Sequence, residues 1–285
     1  MPDLALFQRV GKTGSSTIHT LFLLAAASTR SRGTEWLCTP NRFGPQHATP
    51  CSARAELAIG GAPVYGTGDV AHNASPWRRG LRLFTTLREP VERTVSEWLY
   101  FCKMCGDRLA RPSSVGDGKF CGRISNTSCA ARGGMSLSEW AERAPNHYTR
   151  QFSRHWPEQS FLHAYTHGFP EAAPVSMRDV DVATRVLTHP SSLVLYTDEM
   201  DNVTNPAAQR VALERLRAWL GGPNHSRAAR ALAPVEAFPR ENAASVRYVP
   251  TPAERALLCR ANWADCLLWE RLRPGRACAC LEAHG

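Results

Sequence analysis

The stretch VGKTGSST, residues 10–17, constrains the fold more than any other part of this 285-residue chain. The apolar run before it, residues 4–10, has the length of a buried parallel strand, and apolar residues after it recur at helical spacing. That helical face comprises Ile18, Leu21, Phe22 and Ala25. A loop between a strand and a helix directs backbone N–H groups and the positive helix end at one point, where anions bind. The pattern therefore predicts a phosphate-binding loop at the edge of a parallel sheet.

The side chains of this loop suit a phosphate group. Lys12 supplies a point charge, and Gly14 allows close approach of the backbone. The hydroxyl groups come from Thr13, Ser15, Ser16 and Thr17. Gly11-Lys12-Thr13 matches the end of the nucleoside triphosphate motif GxxxxGK[ST], but Leu6 occupies the position of its first glycine. This difference weakens the alternative of a P-loop kinase.

A second strand-to-helix junction follows at RLFTTLREPVERTVSEW. Residues 82–87 predict a strand, and Pro90 suits the first turn of the helix after it. Arg88 ends the strand and Ser96 lies about two turns into the helix, so both can face the carboxyl edge of the sheet. A guanidinium and a hydroxyl there make a second phosphate site. Two separate anion sites fit a nucleotide that is phosphorylated at both ends.

The rest of the chain continues the alternation of strands and helices. Residues 29–62 are rich in Gly, Pro, Ser and Arg and predict an irregular excursion. SLSEWAERA predicts a short helix capped by Ser136 or Ser138, and SSLVLYTDEM a third strand. AAQRVALERLRAWLGG predicts a helix closed by glycines, and TPAERALLCRANWADCLLWERL one final amphipathic helix. We predict an α/β chain with a parallel sheet, folded as a single domain over residues 1–285.

Cysteines and glycosylation signals indicate an oxidising compartment. The ten cysteines lie in five local pairs along the sequence, which favours disulfides but leaves their connectivity open. The spacing of Cys102 and Cys105 lacks the second ligand pair of a zinc finger, so no structural metal is predicted. Four of the nine asparagines stand in glycosylation sequons. They are Asn73, Asn126, Asn202 and Asn224.

Charge and hydropathy limit the partners further. The net charge of +9 comes from 31 arginines and only three lysines, and no nucleic-acid reading motif accompanies it, so nucleic acid is not predicted as a partner. The apolar stretch LFLLAAAS is too short to span a bilayer. We therefore expect membrane attachment only through an N-terminal anchor outside this chain. The oligomeric state stays open.

The two junctions together carry a family resemblance. KTGSST, followed about 75 residues later by LREPVERTVSEW, resembles the carbohydrate sulfotransferases of the Golgi. The motifs are most similar to the heparan sulfate 6-O- and 2-O-sulfotransferases, which have KTG or KTA and then LRDPVxRxxSEW. LSEWAERAPNHYTRQF and VLYTDEMDN resemble later segments of that group. The resemblance implies a P-loop kinase-like sulfotransferase fold, with helices on both sides of a central parallel sheet, in the Golgi lumen or membrane.

The resemblance also implies a reaction and the residues that perform it. A sulfuryl group passes from 3′-phosphoadenosine 5′-phosphosulfate (PAPS) to a hydroxyl of a polysaccharide or glycan, without a metal. By this resemblance, the residues that bind the 5′-phosphosulfate are Lys12, Thr13, Gly14, Ser15, Ser16 and Thr17. Arg88 and Ser96 bind the 3′-phosphate. Lys12 also stabilises the negative charge that develops on the bridging oxygen as the sulfur–oxygen bond breaks.

Two residues are candidates for the general base that removes the proton of the acceptor hydroxyl. The family has a histidine between the two phosphate motifs, where this chain reads VYGTGDVAHNAS. Asp69 takes one histidine position, and His72, with the better intrinsic pKa, lies three residues later. Arg150 is a candidate contact for the donor or an acidic acceptor. The departure at TGDV keeps open a glycan-binding protein of the same fold without catalysis.

Overall fold

A computed structural model of the chain describes these residues: 5–8, 15–28, 37–38, 57–60, 82–99, 136–143, 145–153, 174–201, 204–222, 226–239, 248–276 and 278–280. The strands are β1 Ala5–Gln8, β2 Leu37–Cys38, β3 Leu57–Gly60, β4 Arg82–Leu87 and β5 Ser192–Tyr196. The helices are α1 Ser15–Ser28, α2 Pro90–Trp98, α3 Leu137–Arg143, α4 His147–Phe152, α5 Met177–Leu187, α6 Pro206–Trp219, α7 Arg227–Leu232, α8 Pro252–Ala261 and α9 Trp263–Leu272. The predicted α/β class with a parallel sheet is confirmed.

The five strands form one sheet in the order β2-β3-β1-β4-β5, and every neighbouring pair is parallel. The strand β1 lies in the middle: Gln8 is opposite Gly60 of β3 on one side and Thr85 of β4 on the other. Parallel strands require crossover connections, and α1 lies in the connection from β1 to β2. After β1 the chain passes through α1 to β2, on one side of β1, and after β4 it passes to β5, on the other side.

Contacts divide the chain into two compact units. The sheet unit comprises Met1–Arg88 and Arg185–Ser245, and the helical unit comprises Glu89–Thr184 and Val246–Gly285. All five strands belong to the sheet unit. The single-domain interpretation stays a prediction.

The core of the sheet unit forms where α1 covers the central strands. Phe7 and Phe84 are opposite each other on β1 and β4, and their rings stack with centroids 4.8 Å apart. The predicted apolar face of α1 is confirmed, because Ile18, Leu21, Phe22 and Ala25 are all buried in this core. Each large side chain of this kind contributes about 1.5–3 kcal/mol by its burial.

Local signals explain where α6 begins and ends. The Asn205 side chain accepts a hydrogen bond from the backbone N–H of Ala208 at 3.1 Å, and Pro206 occupies the first turn. Beyond the helix, Gly221 and Gly222 have φ of 101° and 71°, which glycine adopts without the penalty of a Cβ. The predicted closure by glycines is confirmed.

In the helical unit, α2 packs against α3 and α8. The buried face of α2 comprises Val91, Val95 and Leu99, in a cluster with Leu137, Ala141 and Leu258. Of the two predicted caps for α3, Ser136 is the one used: its hydroxyl accepts from the Glu139 N–H at 3.2 Å, and the Glu139 carboxylate accepts from the Ser136 N–H at 2.8 Å.

Two expectations about elements are wrong. The segment 29–62, predicted as irregular, contributes β2 and β3, because even two to four residues suffice when a neighbouring strand completes their hydrogen bonds. The final helix is broken in two at Asn262, whose φ of −109° and ψ of 26° depart from helical values. The side chain of Asn146 accepts from the Ala264 N–H at 2.9 Å, which stabilises a new helix start there.

Candidate functional site

Three chain segments leave the sheet at the same edge. Because β1 is parallel to both β3 and β4, Gln8, Gly60 and Leu87 all end strands at the carboxyl edge. The connections after β1 and after β4 run to opposite sides, so the gap between these two strands is a topological switch point. Ligands of open α/β sheets bind at such a point.

The predicted phosphate loop follows β1 at this edge. The helix α1 begins at Ser15, so Ser15, Ser16 and Thr17 occupy its first turn, where the backbone N–H groups lack helical acceptors. No acidic residue lies in that turn, so no carboxylate of the turn itself opposes an anion at the positive helix end. Lys12, Thr13 and Gly14 lie outside the described residues. The predicted loop extends to residue 17, but the helix already begins at Ser15, so Ser15, Ser16 and Thr17 belong to the helix rather than to the loop. The ligand of this segment stays a prediction.

The second junction follows β4. Arg88 is partly buried and comes directly after the last residue of that strand, Leu87. In α2, Ser96 is partly exposed and lies four residues after the exposed Glu92, so the two share the accessible face of the helix. The remaining positions from Val91 to Glu97 are buried. Ser96 therefore stands where a ligand can reach it.

Both candidate bases fall after β3. Asp69 and His72 follow Gly60 in the sequence and lie outside the described residues. A third titratable group, His147 in α4, is fully buried, and burial lowers its pKa well below the usual value. Arg93 lowers the pKa of His147 further by charge repulsion. His147 is thus neutral and enclosed within the helical unit, and the choice of base stays between Asp69 and His72.

Arg150 is almost entirely buried, with 5% of its surface exposed. Its Nε donates to the carbonyl oxygen of Pro145 at 3.1 Å. Burial lowers the pKa of the guanidinium, while Asp265 and Asp179 oppose this effect. These contacts indicate that Arg150 holds the turn before α4, and its predicted contact with a ligand stays a prediction.

The segment NHYTRQF is held by the C-terminal helices through reciprocal caps. The carboxylate of Asp265 accepts from the N–H groups of Tyr148 at 2.9 Å and Thr149 at 2.7 Å, at the start of α4. In return, the Asn146 side chain accepts from the Ala264 N–H at the start of α9. Asn146 has a φ of 53°, in the left-handed region that asparagine tolerates better than most residues. The motif therefore serves here as an interlock between helix ends.

A buried ion pair lies inside the LREPVERTVSEW motif. Nη1 of Arg93 is 3.0 Å from the Glu97 carboxylate, and both side chains are fully buried. The same carboxylate accepts from Nε1 of Trp140 at 3.3 Å, and the Arg93 guanidinium lies 5.3 Å from the centre of the Tyr148 ring. Charges at this spacing are typical of a solvated helix face, so the burial of Arg93 and Glu97 could not be predicted from the sequence.

Disulfides are confirmed, and they cross between the local cysteine pairs. Cys259 bonds to Cys280, and Cys266 bonds to Cys278, so neither Cys259 with Cys266 nor Cys278 with Cys280 is joined. Among the residues the structure describes, the sulfur atoms of Cys266, Cys278 and Cys280 form the one group with metal-ligating chemistry, and all three are in disulfides. The absence of a metal from the reaction stays a prediction.

Neither a scan against protein-family models nor a search of the curated proteins finds a match to this chain. Within the described ranges, every helix falls short of the length and apolar character needed to cross a bilayer. The predicted glycosylation sites, Asn73, Asn126, Asn202 and Asn224, all lie outside those ranges.

Proposed function

We propose that this chain is a carbohydrate O-sulfotransferase of the Golgi that transfers a sulfuryl group from PAPS to a glycan hydroxyl. One observation carries the proposal: the segment with Lys12 follows β1, and Arg88 follows the neighbouring parallel strand β4, so both motifs leave the sheet at one switch point. The strand order, with β1 in the centre, supports the finer proposal of a P-loop kinase-like sulfotransferase fold.

The donor suits the chemistry of these residues. Its 5′-phosphosulfate is assigned to the loop and the first turn of α1, where N–H groups and the helix dipole favour an anion. These positions are Lys12, Thr13, Gly14, Ser15, Ser16 and Thr17. Its 3′-phosphate is assigned to Arg88, through the guanidinium, and to Ser96, through the hydroxyl. The donor supplies an activated sulfuryl group.

Two side-chain roles follow for the transfer. The Lys12 ammonium stabilises the negative charge on the bridging oxygen as the sulfur–oxygen bond breaks. A general base, Asp69 or His72, removes the proton of the acceptor hydroxyl. Neither role requires a metal.

A second candidate is a glycan-binding protein of the same fold that lacks catalysis. The observation that favours it is TGDV, which has Thr67 and Asp69 where the resembling family has histidines. This candidate predicts binding of sulfated glycans without any sulfate transfer.

The first experiment measures donor binding by titration calorimetry with 3′-phosphoadenosine 5′-phosphate (PAP). We expect binding by the wild type, strong weakening by Lys12→Ala, and no change in the matched control Lys119→Ala, which removes a lysine outside both motifs. Mg²⁺-dependent binding of ATP in place of PAP would instead establish a kinase-type site. Absence of PAP binding would refute the proposal.

The second experiment measures transfer of radioactive sulfate from PAPS to a panel of desulfated polysaccharides. Transfer by the wild type distinguishes the enzyme from the glycan-binding protein and identifies the acceptor. Asp69→Asn and His72→Ala then assign the base, because loss of the true base lowers kcat by about 10²–10⁴-fold while PAP still binds.

A further inference from the structure

The carboxylate of Glu89 joins two distant parts of the helical unit. Oε2 accepts from the backbone N–H of Glu92 at 2.8 Å and so caps the start of α2. Oε1 accepts from the N–H of Ala279 at 3.2 Å and lies 3.0 Å from Sγ of Cys278. One side chain thus uses its two oxygens on segments about 190 residues apart in the sequence.

The C-terminal partner of Glu89 is covalently fixed. Cys278 is bonded to Cys266 in α9, and Cys280 is bonded to Cys259 in α8. The two disulfides therefore fasten residues 278–280 to two helices of the same unit, and the fully buried Cys278 cannot shift without moving them. Glu89 consequently contacts an anchored segment rather than a loose chain end.

The helix that Glu89 caps depends on such contacts. With nine residues, α2 is too short to be stable alone, so its position is set by what it packs against. One face packs on α3 and α8, and the first turn is tied to residues 278–280 through Glu89. Ser96 is partly exposed and lies beside the exposed Glu92 on the same helix, next to the face formed by Val91, Val95 and Leu99.

We propose that Glu89 is a positioning residue, which ties α2 to the disulfide-anchored segment 278–280 and thereby fixes where Ser96 meets the donor. This inference rests on the proposed function, because it takes Ser96 as a contact of the 3′-phosphate. The length of the side chain is its essential property. An aspartate can cap α2 but is one methylene too short to bridge to Ala279 as well.

The test compares Glu89→Asp with the control Glu254→Asp. Glu254 is also a carboxylate at a helix start, but its hydrogen bonds to described residues go to Thr251 and Tyr248, close to it in the sequence. Hydrogen exchange by mass spectrometry follows the peptides that contain α2 and Ala279. We expect Glu89→Asp to speed exchange at Ala279 by about tenfold while the first turn of α2 stays protected, and Glu254→Asp to change neither.

Kinetics separate positioning from a purely structural role. Contacts to the 3′-phosphate act in the ground state and the transition state alike, so Glu89→Asp should raise the donor KM about three- to tenfold and leave kcat within about twofold. Lower kcat at unchanged KM, or unchanged exchange at Ala279, would overturn the inference. Failure of the wild type to bind PAP would refute the proposed function instead, and the exchange at Ala279, which needs no donor, would still decide the anchoring.

Discussion

The buried ion pair in α2 makes a sharp prediction about stability. In Glu97→Ala, the fully buried Arg93 loses the carboxylate 3.0 Å from its Nη1, and Trp140 loses an acceptor. Removal of one partner of a buried pair costs about 3–5 kcal/mol, because the remaining charge stays in a medium of low dielectric. We therefore expect the free energy of unfolding of the helical unit to fall by that amount.

The same reasoning predicts a small effect at the surface. The Arg271 and Asp181 side chains form a pair at 2.6 Å but are 32% and 54% exposed, so Arg271→Ala should cost less than about 1 kcal/mol. Replacement of both buried partners, Arg93→Met with Glu97→Leu, should recover most of the stability that Glu97→Ala loses, because no buried charge remains.

The assay is urea unfolding read by pulsed hydrogen exchange of the peptides that contain α2 and α3. With a denaturant dependence of about 2 kcal/mol per molar urea, Glu97→Ala should lower the midpoint by roughly 2 M, and Arg271→Ala by less than about 0.5 M. Equal small shifts for the two single variants would show that the Arg93 charge does not depend on Glu97, and the reasoning would be wrong.

Three further predictions concern pH, disulfides and kinetics. Burial raises the pKa of Glu89, so its contribution to stability is complete below pH 4.5 and is lost as the pH rises through the folded-state pKa. The melting temperature of the wild type should therefore fall relative to that of Glu89→Gln as the pH rises. A difference that stays constant with pH would contradict this prediction. Replacement of both Cys266 and Cys278 by alanine should cost about 3 kcal/mol in a thermal melt, and peptide mapping without reduction should recover their bond; a Cys259–Cys266 peptide would refute the connectivity. Lys12→Ala should lower kcat by about 10²–10³-fold and also raise the donor KM, whereas Arg88→Ala should raise the donor KM with little change in kcat; a large loss of kcat in Arg88→Ala alone would exchange their roles.

Elements with strong local signals could be predicted from the sequence. The strands β1, β4 and β5 are apolar runs bounded by polar turns, and the helices α1 and α6 have a clear apolar face or a clear end signal. The order of these elements was enough to place both phosphate motifs at strand-to-helix junctions. Local hydrophobicity and turn chemistry act over a few residues, so they can be read without knowledge of the fold.

Features that depend on a distant partner could not be predicted. The break at Asn262 exists because Asn146, more than 100 residues earlier, caps the new helix. The crossed disulfides follow from the packing of residues 278–280 against α8 and α9 rather than from cysteine spacing. In the sequence Glu89 is simply the residue before Pro90, and its contact with Ala279 is seen only in the folded chain. In each case, tertiary contacts select among options that the local sequence leaves equal.

The interlock between Asn146 and Asp265 has a consequence for the order of events during biosynthesis. The helix α4 has six residues, too few to persist alone, and its N-terminal caps come from a residue 116 to 117 positions later. A ribosome releases the chain from the N-terminus onward, so NHYTRQF emerges long before Asp265 does. The α4 segment therefore lacks the caps from Asp265 in the nascent chain until the C-terminal helices have left the ribosome. The helical unit can complete its fold only after that point.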